Sequence, residues 1–155
     1  MIVTESRFNE NIETYTSQLK NLLAAHPVKY SSWPQQTDNT LSNSAGIYHF
    51  YEQEGESVAS LYVGKAGFGN SNWNLKKRLN QHFLVSQKNT LIGKIVKATG
   101  QTPEQIKNSL SEREVYVQWL VLATNPATVR QNHESELVWF ECFCKSVLKP
   151  KYTNA

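Results

Sequence analysis

Two tyrosines, Tyr48 and Tyr62, lie in short runs of strand-forming residues, 45–51 and 58–63, that flank Gly55. Apolar and aromatic runs on either side of a glycine set among Glu and Gln predict an antiparallel hairpin. A turn centred on Gly55 sets Tyr48 directly across from Tyr62 on one face, so that two hydroxyls share a site. A phenol titrates near pH ~10, so it can activate water only beside a cation: Lys65, Arg78 or a bound metal. Further along, Arg78 and His82 stand four residues apart, with Asn74 four before Arg78. One helix face then offers a bidentate phosphate ligand with an imidazole beside it. The planar arginine fork suits a phosphorane, where charge gathers on oxygens it can hold in pairs. Near the C-terminus one helix presents three acids, Glu134, Glu136 and Glu141.

The elements that must position these groups follow from spacing. Phe8, Ile12, Tyr15, Leu19 and Leu22 recur on one helical face after a Thr4 cap and before His26-Pro27. Residues 30–44 read as an irregular lead-in to the first strand, 67–72 as a loop, and Asn74 as the cap of the helix carrying Arg78. Short helices are predicted over 90–97 and 103–110, separated by Gly100. Residues 114–123 alternate and are rich in Val, Tyr and Trp, predicting a third strand, and 127–148 predict a long amphipathic helix. The fold class is therefore α/β in the broad sense and α+β in detail. It is a small three-stranded antiparallel sheet flanked by helices in a single domain, with an extra N-terminal helix within an extension over 1–44 and a helical insertion.

These pieces resemble the GIY-YIG nuclease family. Gly46-Ile47-Tyr48 and Tyr62-Val63-Gly64 stand for its two tripeptides, with Val for Ile in the second. The run 74–83 looks like its arginine helix, and 136–141 through Lys149-Pro150-Lys151-Tyr152 like its glutamate helix and tail. The likeness spans 45–153. It departs where many members carry Asn after the Tyr: here Thr153 stands, and Asn154 follows one position late. The resemblance implies hydrolysis of DNA phosphodiesters to 5′-phosphate and 3′-hydroxyl ends. It assigns a base-like role to Tyr48 and agrees on Arg78 for the phosphorane; from the residues themselves, Tyr62 is read as orienting, and His82 either as positioning a water or phosphate oxygen or as a simple hydrogen-bonding residue. Glu141 is implied as the ligand of one Mg2+ (or Mn2+), with Glu134 as the fallback. Two other readings stand beside it: a catalytically weak nucleic-acid-binding module of the same fold, and a nuclease for single-stranded DNA or RNA, with Phe68 and Trp73 stacking unpaired bases.

Charge agrees with a polyanionic partner. No Asp or Glu occurs between Ser57 and Pro103, while Lys65, Lys76, Lys77, Arg78, Lys88, Lys94 and Lys97 do, so this stretch carries +7 within a net charge of +3. An acid-free basic segment attracts a phosphate backbone by counterion release. Lys65, Asn74, Lys76, Lys77, Lys94 and Lys97 are the expected nucleic-acid contacts, joined by Lys145 and Lys149 on the last helix. A chain of 155 residues makes one domain with a real core. Its polar, acidic N-terminus and short apolar runs predict a cytoplasmic protein with no membrane span. Cys142 and Cys144 point to different helix faces without a metal-ligand partner, so they are expected to be buried or idle thiols. Monomer and homodimer both remain open.

Overall fold

The computed structural model describes residues 4–33, 41, 44–67, 74–124 and 131–153, the side chains of 131–135 excepted. Among them the chain forms α1 (Glu5–Ala24), β1 (Val28–Lys29), β2 (Ser44–Glu54), β3 (Ser57–Ala66), α2 (Leu75–Gln81), α3 (Leu91–Thr99), α4 (Pro103–Glu112), β4 (Val115–Thr124) and α5 (Gln131–Leu148). The strands make one antiparallel sheet in the order β1-β4-β2-β3. The expected three strands are thus four. Val28 and Lys29 pair with Val117 and Tyr116. A two-residue strand carries no alternation to read; it forms because the outer edge of β4 offers backbone groups that need partners. Among the described residues no helix is long and apolar enough to cross a membrane.

Helix starts follow their caps. Thr4 accepts from the Arg7 amide, Asn74 from Lys77, Thr90 from Gly93 and Thr102 from Gln105, the last as a full capping box ahead of Pro103. The sheet separates two cores. On one face Tyr48, Phe50 and Tyr62 pack with Leu75, Leu79, Leu91, Ile92, Ile106 and Leu110 from α2, α3 and α4. On the other, Ala45, Ile47 and Val63 meet Leu19 and Leu22 of α1 and Leu137, Phe140 and Cys144 of α5. Alternation along β2 and β3 explains this sorting, since successive side chains leave opposite faces.

The hairpin register differs from the expected one. Near the turn Glu54 pairs with Ser57 and Tyr51 with Ser60, but a bulge between Phe50 and Tyr51 passes over Leu61, so Phe50 faces Tyr62 and Tyr48 faces Gly64. The correction has a clear packing reason. A methyl at Gly64 would strike the Tyr48 phenol, whose ring lies over that bare glycine. Tyr48 and Tyr62 still share a face as diagonal neighbours, their rings stacked with centroids 6.2 Å apart. Gly46 is required for a different reason: a second bulge, between Ala45 and Gly46, brings its backbone against the Leu120 carbonyl, where a Cβ has no room.

Candidate functional site

Four side chains from three elements converge beneath α2. Tyr48 and Tyr62 come from the hairpin, Arg78 from the last turn of α2, and His82 from its C-cap. The phenol oxygen of Tyr48 lies 2.8 Å from His82 Nε2 and 3.2 Å from Arg78 Nε. Tyr48, Tyr62 and His82 are fully buried. Arg78 is held at every nitrogen: Nε donates to Tyr48, Nη1 to Gln81 Oε1 at 2.8 Å, and Nη2 to the Asn89 carbonyl at 2.7 Å. It also bonds to Tyr62.

The tautomer of His82 follows from its partners. Its Nδ1 accepts the Leu91 backbone N–H at 3.0 Å, so that nitrogen carries no proton. Burial, and then the charge of Arg78, hold the imidazole pKa well below its ordinary value, so the ring is neutral and its proton sits on Nε2. His82 therefore donates to Tyr48. Two N–H groups point at one phenol oxygen, the arrangement that stabilises a phenolate, and the hydroxyl proton of Tyr48 must point away from both. At rest the phenol keeps that proton: burial pushes its pKa up, Tyr62 adds to this, and Arg78 pulls it back. Burial opposes the charge of Arg78, and the two tyrosines outweigh it, so the guanidinium pKa is raised.

The remaining expected residues fall in several places. Both His82 nitrogens are engaged within the protein, so a water or phosphate oxygen finds no free imidazole nitrogen there. Lys65 pairs with Ile47 and alternates with Tyr62, placing it on the α1 and α5 side of the sheet, half-buried, and not beside the phenols. Asn74 spends its side-chain oxygen on the α2 cap, accepting from Lys77 at 2.9 Å. Lys76 and Lys94 are half-buried; Lys77, Lys97 and Lys149 are exposed. Glu141, half-buried on α5, lies 3.4 Å from Lys145, and its charge reaches Tyr48. The Glu134 side chain, Phe68, Trp73 and Asn154 lie outside the described residues. Cys142 is exposed and Cys144 buried, where burial raises its thiol pKa to about 12.

Three participants were not anticipated: Gln81, the Asn89 carbonyl and the Leu91 amide. Gln81 was available from its i,i+3 spacing to Arg78. The other two are backbone groups, Asn89 from the segment after α2 and Leu91 from the start of α3, and no side-chain pattern announces them. After α5 the tail runs back along the outer edge of β3, with Lys151 N bonded to the Ser60 carbonyl and Tyr152 N to that of Leu61. This is the bulge that shifts Tyr62, so the segment ending in Thr153 lies against the strand carrying the second tyrosine. Among the described residues no three His, Cys, Asp or Glu side chains gather as a metal cage. No family model, curated protein or solved structure matches the chain.

Proposed function

We propose that the protein is a metal-dependent endonuclease of the GIY-YIG type, hydrolysing DNA phosphodiester bonds at Tyr48, Arg78 and Glu141. The observation that carries this reading is the pair of N–H donors, Arg78 Nε and His82 Nε2, aimed at the oxygen of Tyr48. A tyrosine kept only for packing needs one partner or none. Two donors, one of them cationic, favour the deprotonated phenol that water activation requires.

In this mechanism Tyr48 first releases its resting hydroxyl proton to solvent, the phenolate then takes the proton of the attacking water, and His82 acts through Tyr48 by keeping its Nε2–H on the phenolate oxygen. Arg78 holds the phosphorane, which requires it to release a protein partner; the Asn89 carbonyl is the exposed one. Tyr62 fixes the guanidinium. Glu141 fits a hard cation, because magnesium takes one or two carboxylates and fills its other positions with water and substrate oxygens. Bound there, the ion would offset charge on the leaving oxygen. Lys145 is then the residue that exchanges Glu141 for a phosphate.

The test is incubation of the chain with supercoiled plasmid and Mg2+ or Mn2+, followed by analysis of the ends. Nicked circles bearing 5′-phosphate and 3′-hydroxyl are expected, with no product in EDTA. Intact plasmid under every metal condition, with binding retained, would favour the non-catalytic module.

A further inference from the structure

The helical insertion, residues 86–111, carries a solvent-open cavity of about 430 Å³ between the turn after α2 and the body of α3. Its apolar lining comes from Val85, Ile92, Val96 and Pro103, and its remaining lining includes Lys88, Lys94 and Lys97. Among the described residues no acidic and no aromatic side chain lines it. Two of its lining residues are packed against each other: Gly93 lies so close on the Lys88 carbonyl that a Cβ there would clash. Asn89 both lines this cavity and accepts from Arg78 Nη2 at 2.7 Å, so the cavity begins one hydrogen bond from the guanidinium.

Volume, wall and charge fit a single nucleotide. Small-molecule sites start at roughly 300 Å³ and combine apolar walls with a few polar anchors, and three lysines with no acid among the lining residues complement a phosphodiester on either side of a base. A stacked base within duplex cannot reach such a wall; only one displaced from the stack can. We propose that the cavity takes one unstacked nucleotide next to the scissile phosphate, so that the preferred substrate carries an unpaired nucleotide, as in a bulge, flap or gap, and is not uniform duplex. The inference rests on the nuclease reading for the scissile phosphate alone. Entry of the nucleotide beside Asn89 would also draw its carbonyl from Arg78 and free that nitrogen for phosphate.

The experiment compares two DNAs of one sequence in EDTA with the full chain: a continuous duplex, and the same duplex with one bulged 2-aminopurine. Affinity is expected to favour the bulged DNA by about tenfold or more, the ratio given by ~1.4 kcal/mol. The bulged base should stay bright when bound, because no aromatic ring among the described residues lines the cavity to quench it. Val96→Glu, and separately Lys94→Glu with Lys97→Glu, should bring the ratio to about one, with the fold checked by thermal melting. A wild-type ratio under tenfold, a ratio unmoved in both variants, or quenching on binding would overturn the proposal. Cleavage of continuous duplex without preference would remove the cavity's role and leave the nuclease reading in place. Selective, bright binding of the bulge with no metal-dependent product would do the reverse.

Discussion

Two buried histidines on opposite faces of the sheet hold opposite tautomers. His82 takes the Leu91 amide at Nδ1 and gives Nε2–H to Tyr48. His49 meets Gln118 Oε1 at 3.0 Å through Nδ1 and Ser60 Oγ at 2.8 Å through Nε2. The Gln118 amide is oriented by donating Nε2 to the Leu23 and Ala25 carbonyls, so its oxygen must accept from Nδ1–H, and the lone pair at His49 Nε2 receives the Ser60 hydroxyl. Burial lowers both imidazole pKa values. The difference lies in what each network ends on. The His49 chain terminates in carbonyls at the end of α1 and pins that helix to the sheet with neutral groups. The His82 chain terminates in a guanidinium whose outermost partner is exposed. A buried histidine is thus no signal of chemistry; a charged group that can change partners is.

The largest effect expected is on turnover. Tyr48→Phe should lower kcat by about 10²-fold or more, the scale of general base catalysis, at a stability cost of about 1 kcal/mol for the His82 N–H it leaves without a partner. Ser60→Ala, the hydroxyl in the matching position on the other face, should leave kcat unchanged. Equal losses from both substitutions, read in plasmid nicking per folded molecule, would erase the distinction between the networks.

Stability should show the opposite ranking. His49→Ala strands Gln118 Oε1 and Ser60 Oγ and detaches the end of α1, a cost of roughly 2 kcal/mol for leaving buried polar groups without partners. Urea unfolding should report this, with cleavage by the remaining folded protein retained. A variant as stable as wild type would mean that α1 is held by its apolar face alone.

Acid should weaken both networks together. Each folded-state histidine pKa lies below the unfolded value of about 6.5, so below that pH the unfolded chain binds protons that the native state refuses. Stability is therefore full above about pH 6.5 and falls as pH drops, with a slope of up to ~1.4 kcal/mol per pH unit for each histidine. His49→Gln should remove its share of that slope. Urea midpoints from pH 7.5 to 5 that do not move would show that neither ring is kept neutral.

Much of this architecture is legible in sequence because it rests on local rules. The Thr4 and Asn74 caps, the turn at Gly55, the third strand and the helices around Gly100 all follow from residue type and spacing. The register was not legible. Leu61, Tyr62 and Val63 are consecutively apolar because the sheet is covered on both faces, so alternation could not reveal that Leu61 is passed over. The place of Lys65 on the far face could be read from its distance to Tyr62, yet its charge invited a position beside the phenols. The tautomer of His82 depends on a backbone amide, and cavities of the insertion depend on how α3 settles against the Lys88 carbonyl; neither has a side-chain signature.

The smallest effect lies where the two faces meet, at the outer edge of β3. Lys149 ends α5 with φ 48°, the left-handed conformation usual for glycine at a helix C-terminus, and the chain then turns through Pro150 to pair with Ser60 and Leu61. A lysine there carries the steric cost of its Cβ. Lys149→Gly should relieve it and raise stability by about 0.5 kcal/mol, partly offset by the greater freedom of glycine in the unfolded chain. The tail bonds should persist, because they depend on the turn and not on the lysine side chain. If Lys149 also meets DNA, the same variant should flatten the dependence of log affinity on log salt by roughly one unit. Greater stability with an unchanged salt slope would assign Lys149 to the fold alone. Lower stability would show that the strained conformation is held by contacts of the lysine stem, and that the tail, and with it the Tyr62 bulge, depends on that side chain.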